Sequence, residues 1–468
     1  MVMLVFDEFS TVSLLDEHGR IDPVRYPNFA SLAREGNWFP YATASLDETG
    51  RAMRSLLTGR TTTGYAKPNY AKNPRNVFTL LGRTYRLRAS EEVTSLCPRR
   101  LCPQSRDQTQ RSILRKLASG RPERLERWLA SVRPQARPTF YFKHVLLPHA
   151  PWSYLPSGRH YRDGPTAKRF SWRFLHFNRW LVNQRYQQHL LQVAYTDRLL
   201  GKVLARLRAT GLYDRALIVV TADNGESFGR LGNGHEITRQ NGAEIGLTPL
   251  FVKLPQQAQG QTVNRHVRMI DVVPTIARVA HVRPKWRVEG RSVIGPSARR
   301  IPSSTLLVQR SGARIRLTQG ALRRRAADSA RLKSRLFGSG GASLYGIGPS
   351  PFMLGTPTSR WPAVAPSGTR AVLDLADEYS RVRLGSGFAP VKVMGRLSGP
   401  GSDKATDIAV AVNGTIAATA PSLAPGPGRT QYFSALVAED RLREGTNTVE
   451  IFAVVRGGGG PALRPLPH

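Results

Sequence analysis

Two stretches far apart in the chain share one pattern, an unbroken apolar run that ends in acidic residues. Val2-Met3-Leu4-Val5-Phe6 leads into Asp7-Glu8, and Leu217-Ile218-Val219-Val220-Thr221-Ala222 leads into Asp223-Asn224-Gly225-Glu226. Runs of this kind, without polar alternation, predict strands buried on both faces, as in a parallel sheet. Through residues 1–290 strand-like and helix-like stretches alternate, the mark of an α/β domain. Helices are predicted over 27–36, 52–57, 186–210 and 272–279, with helical spacing in the basic stretch 104–133. Strands are predicted over 38–42, 140–147 and 249–254. The pattern weakens over 291–365, which reads as a connector with some helix. Beyond 366 short alternating segments return, and Asn413-Gly414 is a strong hairpin-turn signal. Residues 366–457 therefore read as a small β-sandwich-like domain, followed by a disordered tail at 458–468.

Acidic groups that follow buried strands fall at the carboxyl edge of the sheet, where open α/β folds bind ligands. Either strand end alone is as well explained by a helix cap or a loop carboxylate. Together, Asp7, Glu8, Asp223 and Asn224 make an oxygen-only donor set that suits one Ca²⁺, Mg²⁺ or Mn²⁺ better than Zn²⁺.

Composition narrows the setting. The formal net charge is +37, from 69 Lys and Arg against 32 Asp and Glu. A positive field of this size favours anionic partners, but no nucleic-acid-binding signature accompanies it. An anionic membrane or envelope surface, or base-composition bias toward Arg, explains it before nucleic acid does. No run reaches the ~18 apolar residues of a membrane span. Because a core strand begins at residue 2, an upstream segment holding an anchor is expected. Cys97 and Cys102, each followed by proline, are either a small disulfide loop or two free thiols. The disulfide is the favoured reading, and with it an extracytoplasmic, cell-envelope location. Residues 168–185 interleave bases and aromatics, as a membrane-interface or glycan-binding segment or an amphipathic helix packed on the core would.

Between the two acidic strand ends lies Thr49-Gly50-Arg51-Ala52-Met53-Arg54-Ser55-Leu56-Leu57-Thr58-Gly59-Arg60. With Pro27-Asn28-Phe29, Pro148-His149-Ala150-Pro151-Trp152, Tyr195-Thr196-Asp197 and Asp271-Val272-Val273-Pro274-Thr275, this ordered set resembles the sulfatase/alkaline phosphatase superfamily over about the first 290 residues. The resemblance implies an alkaline-phosphatase-like α/β sandwich with a central, mostly parallel sheet. It also implies a nucleophile at a helix N-terminus beside a metal held by the strand-end acids. Sulfatases of that superfamily make formylglycine from Cys or Ser in a Cys/Ser-x-Pro-x-Arg motif, eleven residues before the Arg of Leu-Thr-Gly-Arg. Here that count from Arg60 reaches Thr49, followed by Arg51 where Pro is needed and Met53 where Arg is needed. The formylglycine signal is absent, and a Thr in this place is similar to the phosphoryl-transferring branch.

A hydroxyl needs a base or a metal to become a good nucleophile at neutral pH, and a helix N-terminus favours the anionic ester. Thr49 is accordingly the candidate nucleophile and a metal-contacting group, with Arg51 and Arg54 as candidates for binding ester oxygens. His149 matches a substrate-contacting, proton-donating histidine, and His235 is a further substrate-binding candidate. Lys143 and His144 rank below them, and Glu226 is a supporting group for a ligand. The function these residues imply is metal-dependent cleavage or transfer of a phosphoester, lipid- or glycan-linked, in the cell envelope. Two other readings stand beside it: sulfate-ester hydrolysis without formylglycine, and a non-catalytic envelope-binding scaffold.

Overall fold

The apolar run at the start of the chain forms the strand it predicts, β1 (Val2–Asp7), buried along its whole length. The computed structural model describes residues 1–44, 46–62, 64–229, 235–295, 304–426, 429–457 and 460–468. Around β1 a seven-stranded sheet assembles from β2 (Asn37–Trp38), β3 (Arg86–Ser90), β4 (Thr139–Pro148), β5 (Ile218–Ala222), β6 (Leu250–Lys253) and β7 (Gln261–Thr262). The order is β3-β4-β1-β5-β6-β2-β7. Its first four strands are mutually parallel, and β6 runs antiparallel to β5 and β2. β4 is buried at all ten positions, as expected where helices cover both faces of a parallel sheet.

Helix α1 (Pro27–Glu35) begins with proline and has no side-chain cap of its own. Asp197, far along the chain, supplies one: it accepts from the backbone N–H of Asn28 at 3.0 Å and of Phe29 at 2.8 Å. Helix α2 (Thr49–Thr58) is capped by Glu48, whose carboxylate accepts from Gly50 N–H at 2.9 Å and Arg51 N–H at 3.0 Å. It ends at Gly59 with φ of 68°, a left-handed turn that glycine adopts without strain.

The chain divides into two compact units, Met1–Pro151 with Thr196–Leu332, and Trp152–Tyr195 with Lys333–His468. These differ from the borders expected at 290 and 365. Residues 152–195 group with the β-rich half because Leu155, Tyr161, Phe170, Trp180, Leu181, Leu190 and Leu191 share its core. Most of the expected connector is ordered: Ser304–Val308 and Arg314–Thr318 form a hairpin. That hairpin's Leu307 and Leu317 pack with Ile237, Ala243 and Ile245 in the first unit.

The second unit carries two antiparallel sheets, of three and four strands, that share one core. Asn413 and Gly414, at φ of 51° and 74°, make the predicted hairpin turn. The tail expected to be disordered instead contributes Gly460–Pro465, paired with Val449–Gly457. Among the described residues no helix is long and apolar enough to cross a membrane. Cys97 and Cys102 form the expected disulfide.

Candidate active site

Register brings the two acidic strand ends together. Val5 in β1 lies opposite His144 in β4 and Thr221 in β5, and Phe6 lies opposite Ala222. Asp7 and Asp223 therefore leave neighbouring strands side by side at one edge. The turn after β1 is tight: Glu8 has φ of 55°, in the left-handed region, which a non-glycine residue adopts only when its surroundings hold it there. Glu8 N–H donates to Asp223 Oδ1 at 3.1 Å, and Phe9 N–H donates to the Asn224 carbonyl at 2.7 Å. After Asn224 the chain passes so close to Glu244 that a Cβ on Gly225 would sit 2.2 Å from its carbonyl oxygen. Only glycine fits there, and it sets the direction in which Asn224 is presented.

Helix α2 delivers Thr49 to this edge from its first turn. Glu48 does the capping, so the Thr49 hydroxyl is released from that role and donates to Asp7 Oδ1 at 3.2 Å. Burial pushes the Asp7 carboxyl up to about 6 and the Glu8 charge adds to the rise, while His149 and the Thr49 hydroxyl oppose it. Asp223 is raised well above the usual carboxylate range, by burial first and by Asp7 second. The charge of Asp7 thus disfavours that of Asp223, and two carboxylates buried side by side suit a cation. Asp223 Oδ2 and the Asn224 side-chain oxygen are buried and have no hydrogen-bond partner, a state that costs about 1–3 kcal/mol per group unless something fills it. The donor chemistry of Asp7, Asp223 and Asn224 therefore fits a divalent ion.

Glu8 is turned elsewhere. Its Oε1 lies 3.1 Å from His149 Nε2 and 3.2 Å from His235 Nδ1, and Glu226 Oε2 lies 3.0 Å from the same His235 nitrogen. The other ring nitrogen of His149 contacts the carbonyl of Ala150. Burial by itself would depress the His149 pKa, but the Glu8 and Asp7 carboxylates outweigh it and hold the imidazole above its ordinary value. The loop carrying His149 is clamped by the buried Arg121, which donates to the carbonyls of His149 at 2.5 Å and Pro151 at 2.6 Å. Of the Gly-rich loop before His235, residues 232–234 lie outside the described residues.

Arg51 and Arg54 stand on the same helix as Thr49, and both are buried. Each needs acceptors, and loop groups supply them. Arg51 donates to the carbonyls of Gln309 and Arg310 at 3.1 and 3.2 Å, and Arg54 to those of Gly64 and Ala66 and to the Asn73 side chain. These contacts hold the loops at 64–66 and 309–310 against α2.

Sequence reasoning underrated His144. It is fully buried, burial drives its pKa down to about 3, and neither ring nitrogen has a hydrogen-bond partner. Its donor atoms and those of Asp7 and Asp223 lie within 4.8 Å of one another. Its neighbour Lys143 is also fully buried but paired with Glu92, which Arg124 and Lys116 also approach, at 3.2 and 3.5 Å. Alternation along β4 turns the two side chains to opposite sides, and the register with the neighbouring strands decides what each one meets.

Residues 123–282 match the family model described as Sulfatase. Arylsulfatase K from Xenopus laevis is 29% identical over 101 residues, which are 22% of this chain and 18% of that protein. Arylsulfatase K from Danio rerio is 29% identical over 101 residues, 22% of this chain and 19% of its own. The match thus spans about one fifth of the length of these relatives. Among solved structures, BT4656 in complex with its substrate D-glucosamine-2-N,6-O-disulfate superposes with a TM-score of 0.50 at 16% identity, covering 68% of this chain and 87% of that one. Phosphonate monoester hydrolase SpPMH from Silicibacter pomeroyi gives a TM-score of 0.46 at 20% identity, covering 65% of this chain and 78% of its own. The fold is sulfatase/alkaline-phosphatase-like, and residues 123–282 carry the sulfatase match within it.

Proposed function

We propose that this chain is a metal-dependent hydrolase or transferase of the sulfatase-like class that opens an anionic phosphoester through Thr49. The observation that carries this reading is the Thr49 hydroxyl at the first turn of α2, 3.2 Å from Asp7 Oδ1, beside the orphaned oxygens of Asp223 and Asn224. Asp7, Asp223 and Asn224 would hold one divalent cation, with Glu8 beside them. Such an ion supplies charge neutralisation for the ester and lowers the pKa of a nearby hydroxyl.

The Thr49 hydroxyl proton passes to Asp7, and Thr49 Oγ1 forms the new bond to phosphorus as the bond to the leaving oxygen breaks. His149, kept protonated by Glu8, gives its Nε2 proton to that oxygen. Water, or a sugar or lipid hydroxyl, then gives its proton to the now neutral His149 and bonds to phosphorus as the bond to Thr49 Oγ1 breaks, and Asp7 returns its proton to Thr49 Oγ1, restoring the free hydroxyl. The helix N-terminus and the arginine charge around α2 favour the anion. The disulfide supports an extracytoplasmic setting, in the cell envelope. A second reading, sulfate-ester cleavage at the same site, is favoured by the family model described as Sulfatase that residues 123–282 match. The sulfated sugar bound by the structural neighbour points the same way.

The test is brief incubation with p-nitrophenyl phosphate, bis-p-nitrophenyl phosphate or p-nitrophenyl sulfate, an acid quench, and peptide mass spectrometry. A phosphoryl adduct on Thr49 with turnover is expected. A sulfuryl adduct selects the second reading, and an adduct on another residue removes Thr49 as nucleophile. Protein that neither turns over nor retains a stoichiometric divalent ion is the non-catalytic scaffold instead.

A further inference from the structure

We propose that His144 is a nitrogen ligand of the cation held at Asp7 and Asp223, making the site a mixed nitrogen–oxygen one. This rests on the metal reading above. Three observations converge. His144 is buried with 0% exposure and both ring nitrogens lack a hydrogen-bond partner. A neutral imidazole carries one donor and one acceptor, so a ring left in this state is unusual among buried polar groups.

The adjacent residue provides the contrast. Lys143 projects to the opposite side of β4, as alternation requires, and there its ammonium donates to Glu92 and, at 3.0 Å, to Ser90. The strand that completes the partners of Lys143 leaves none for His144.

Placement supplies the second observation. Val5 pairs with His144 on one side and Thr221 on the other. One strand period beyond Val5 is Asp7, and one beyond Thr221 is Asp223. The donor atoms of Asp7, His144 and Asp223 all lie within 4.8 Å of one another. Ligands about 2.0–2.4 Å from a shared ion fall within that span.

The third is the company His144 keeps, since Asp223 Oδ2 and Asn224 Oδ1 are buried and unpartnered as well. One ion within reach of Asp7 and Asp223 answers Asp223 Oδ2 and one ring nitrogen of His144. An imidazole among the carboxylates moves preference away from Ca²⁺ and toward Mn²⁺ or Zn²⁺.

Electron spin-echo spectroscopy of the full chain loaded with Mn²⁺ tests this directly, because a bound imidazole imprints ¹⁴N modulation on the echo. One Mn²⁺ per chain with nitrogen modulation is expected, and the modulation disappears in His144→Gln. By calorimetry that variant binds Mn²⁺ and Zn²⁺ about 10–100-fold more weakly, with a smaller change for Ca²⁺. If His144→Gln fails to fold, the double variant His149→Gln, His235→Gln settles the assignment, since its nitrogen signal must persist. Stoichiometric Mn²⁺ without nitrogen modulation, or a signal lost in the double variant, overturns the role of His144 and leaves the metal reading standing. A chain that binds none of Mn²⁺, Zn²⁺ or Ca²⁺ overturns both.

Discussion

Thr49 is the residue on which the proposed chemistry turns, and its freedom depends on Glu48. With Glu48 capping α2, the threonine hydroxyl reaches Asp7. Thr49→Ala is expected to lower kcat/KM on the order of 10³-fold or more and to abolish the covalent adduct, whereas Thr49→Ser keeps measurable turnover and an adduct. Both effects are read by steady-state kinetics and mass spectrometry on folded protein. His149→Gln should behave differently with different leaving groups. Loss of a general acid costs about 10²–10⁴-fold where the leaving oxygen needs a proton, as in an alkyl ester, and little with p-nitrophenyl esters. A uniform loss across leaving groups would remove His149 as the acid.

The strands and helices were legible where the pattern is local. The unbroken apolar runs became β1 and β5, the 272–279 helix formed as Val272–Val279, and Asn413-Gly414 turned a hairpin. Less legible were features set by distant partners. Asp197 was visible only as part of a motif, yet it caps α1 across the fold. Glu92 was not singled out at all, yet it neutralises the fully buried Lys143. Removing one partner of a buried pair strands the other charge, so Glu92→Ala is expected to destabilise the protein by about 3–5 kcal/mol. The comparison variant Glu92→Leu, Lys143→Leu should recover much of that in urea unfolding.

His266 offers a pH test away from the metal donors. It is buried, its Nε2 lies 2.9 Å from the Thr43 hydroxyl, and burial, with Arg268 and Arg323 adding to it, lowers its pKa to about 4. The unfolded chain takes up a proton there near 6.5 and the folded chain does not, so its contribution to stability is complete above about pH 7. It is lost as pH falls from about 6.5 toward 4, with a slope approaching ~1.4 kcal/mol per pH unit. His266→Gln should flatten that part of the stability profile.

Across the molecule the charge of +37 acts as a field, not as a contact. Screening shortens its reach to about 8–10 Å at 0.1–0.15 M salt. Association with a polyanionic substrate, such as a sulfated or phosphorylated glycan chain, should therefore slow steeply between 0.05 and 0.3 M NaCl, on the order of 10-fold or more, while kcat/KM for p-nitrophenyl phosphate changes far less. Equal salt dependence for both would mean that the field does not select the substrate. From the sequence alone came the α/β alternation, the two acidic strand ends, the threonine that opens α2 and the disulfide pair, because periodicity, turn chemistry and spacing are properties of neighbouring residues. Tertiary structure alone decided that Glu8 faces two histidines, that Arg51 and Arg54 bind loop carbonyls, that 152–195 joins the β-rich unit, and that His144 stands beside Asp7 and Asp223. Those are consequences of strand register and side-chain packing, which bring together groups that no local pattern connects.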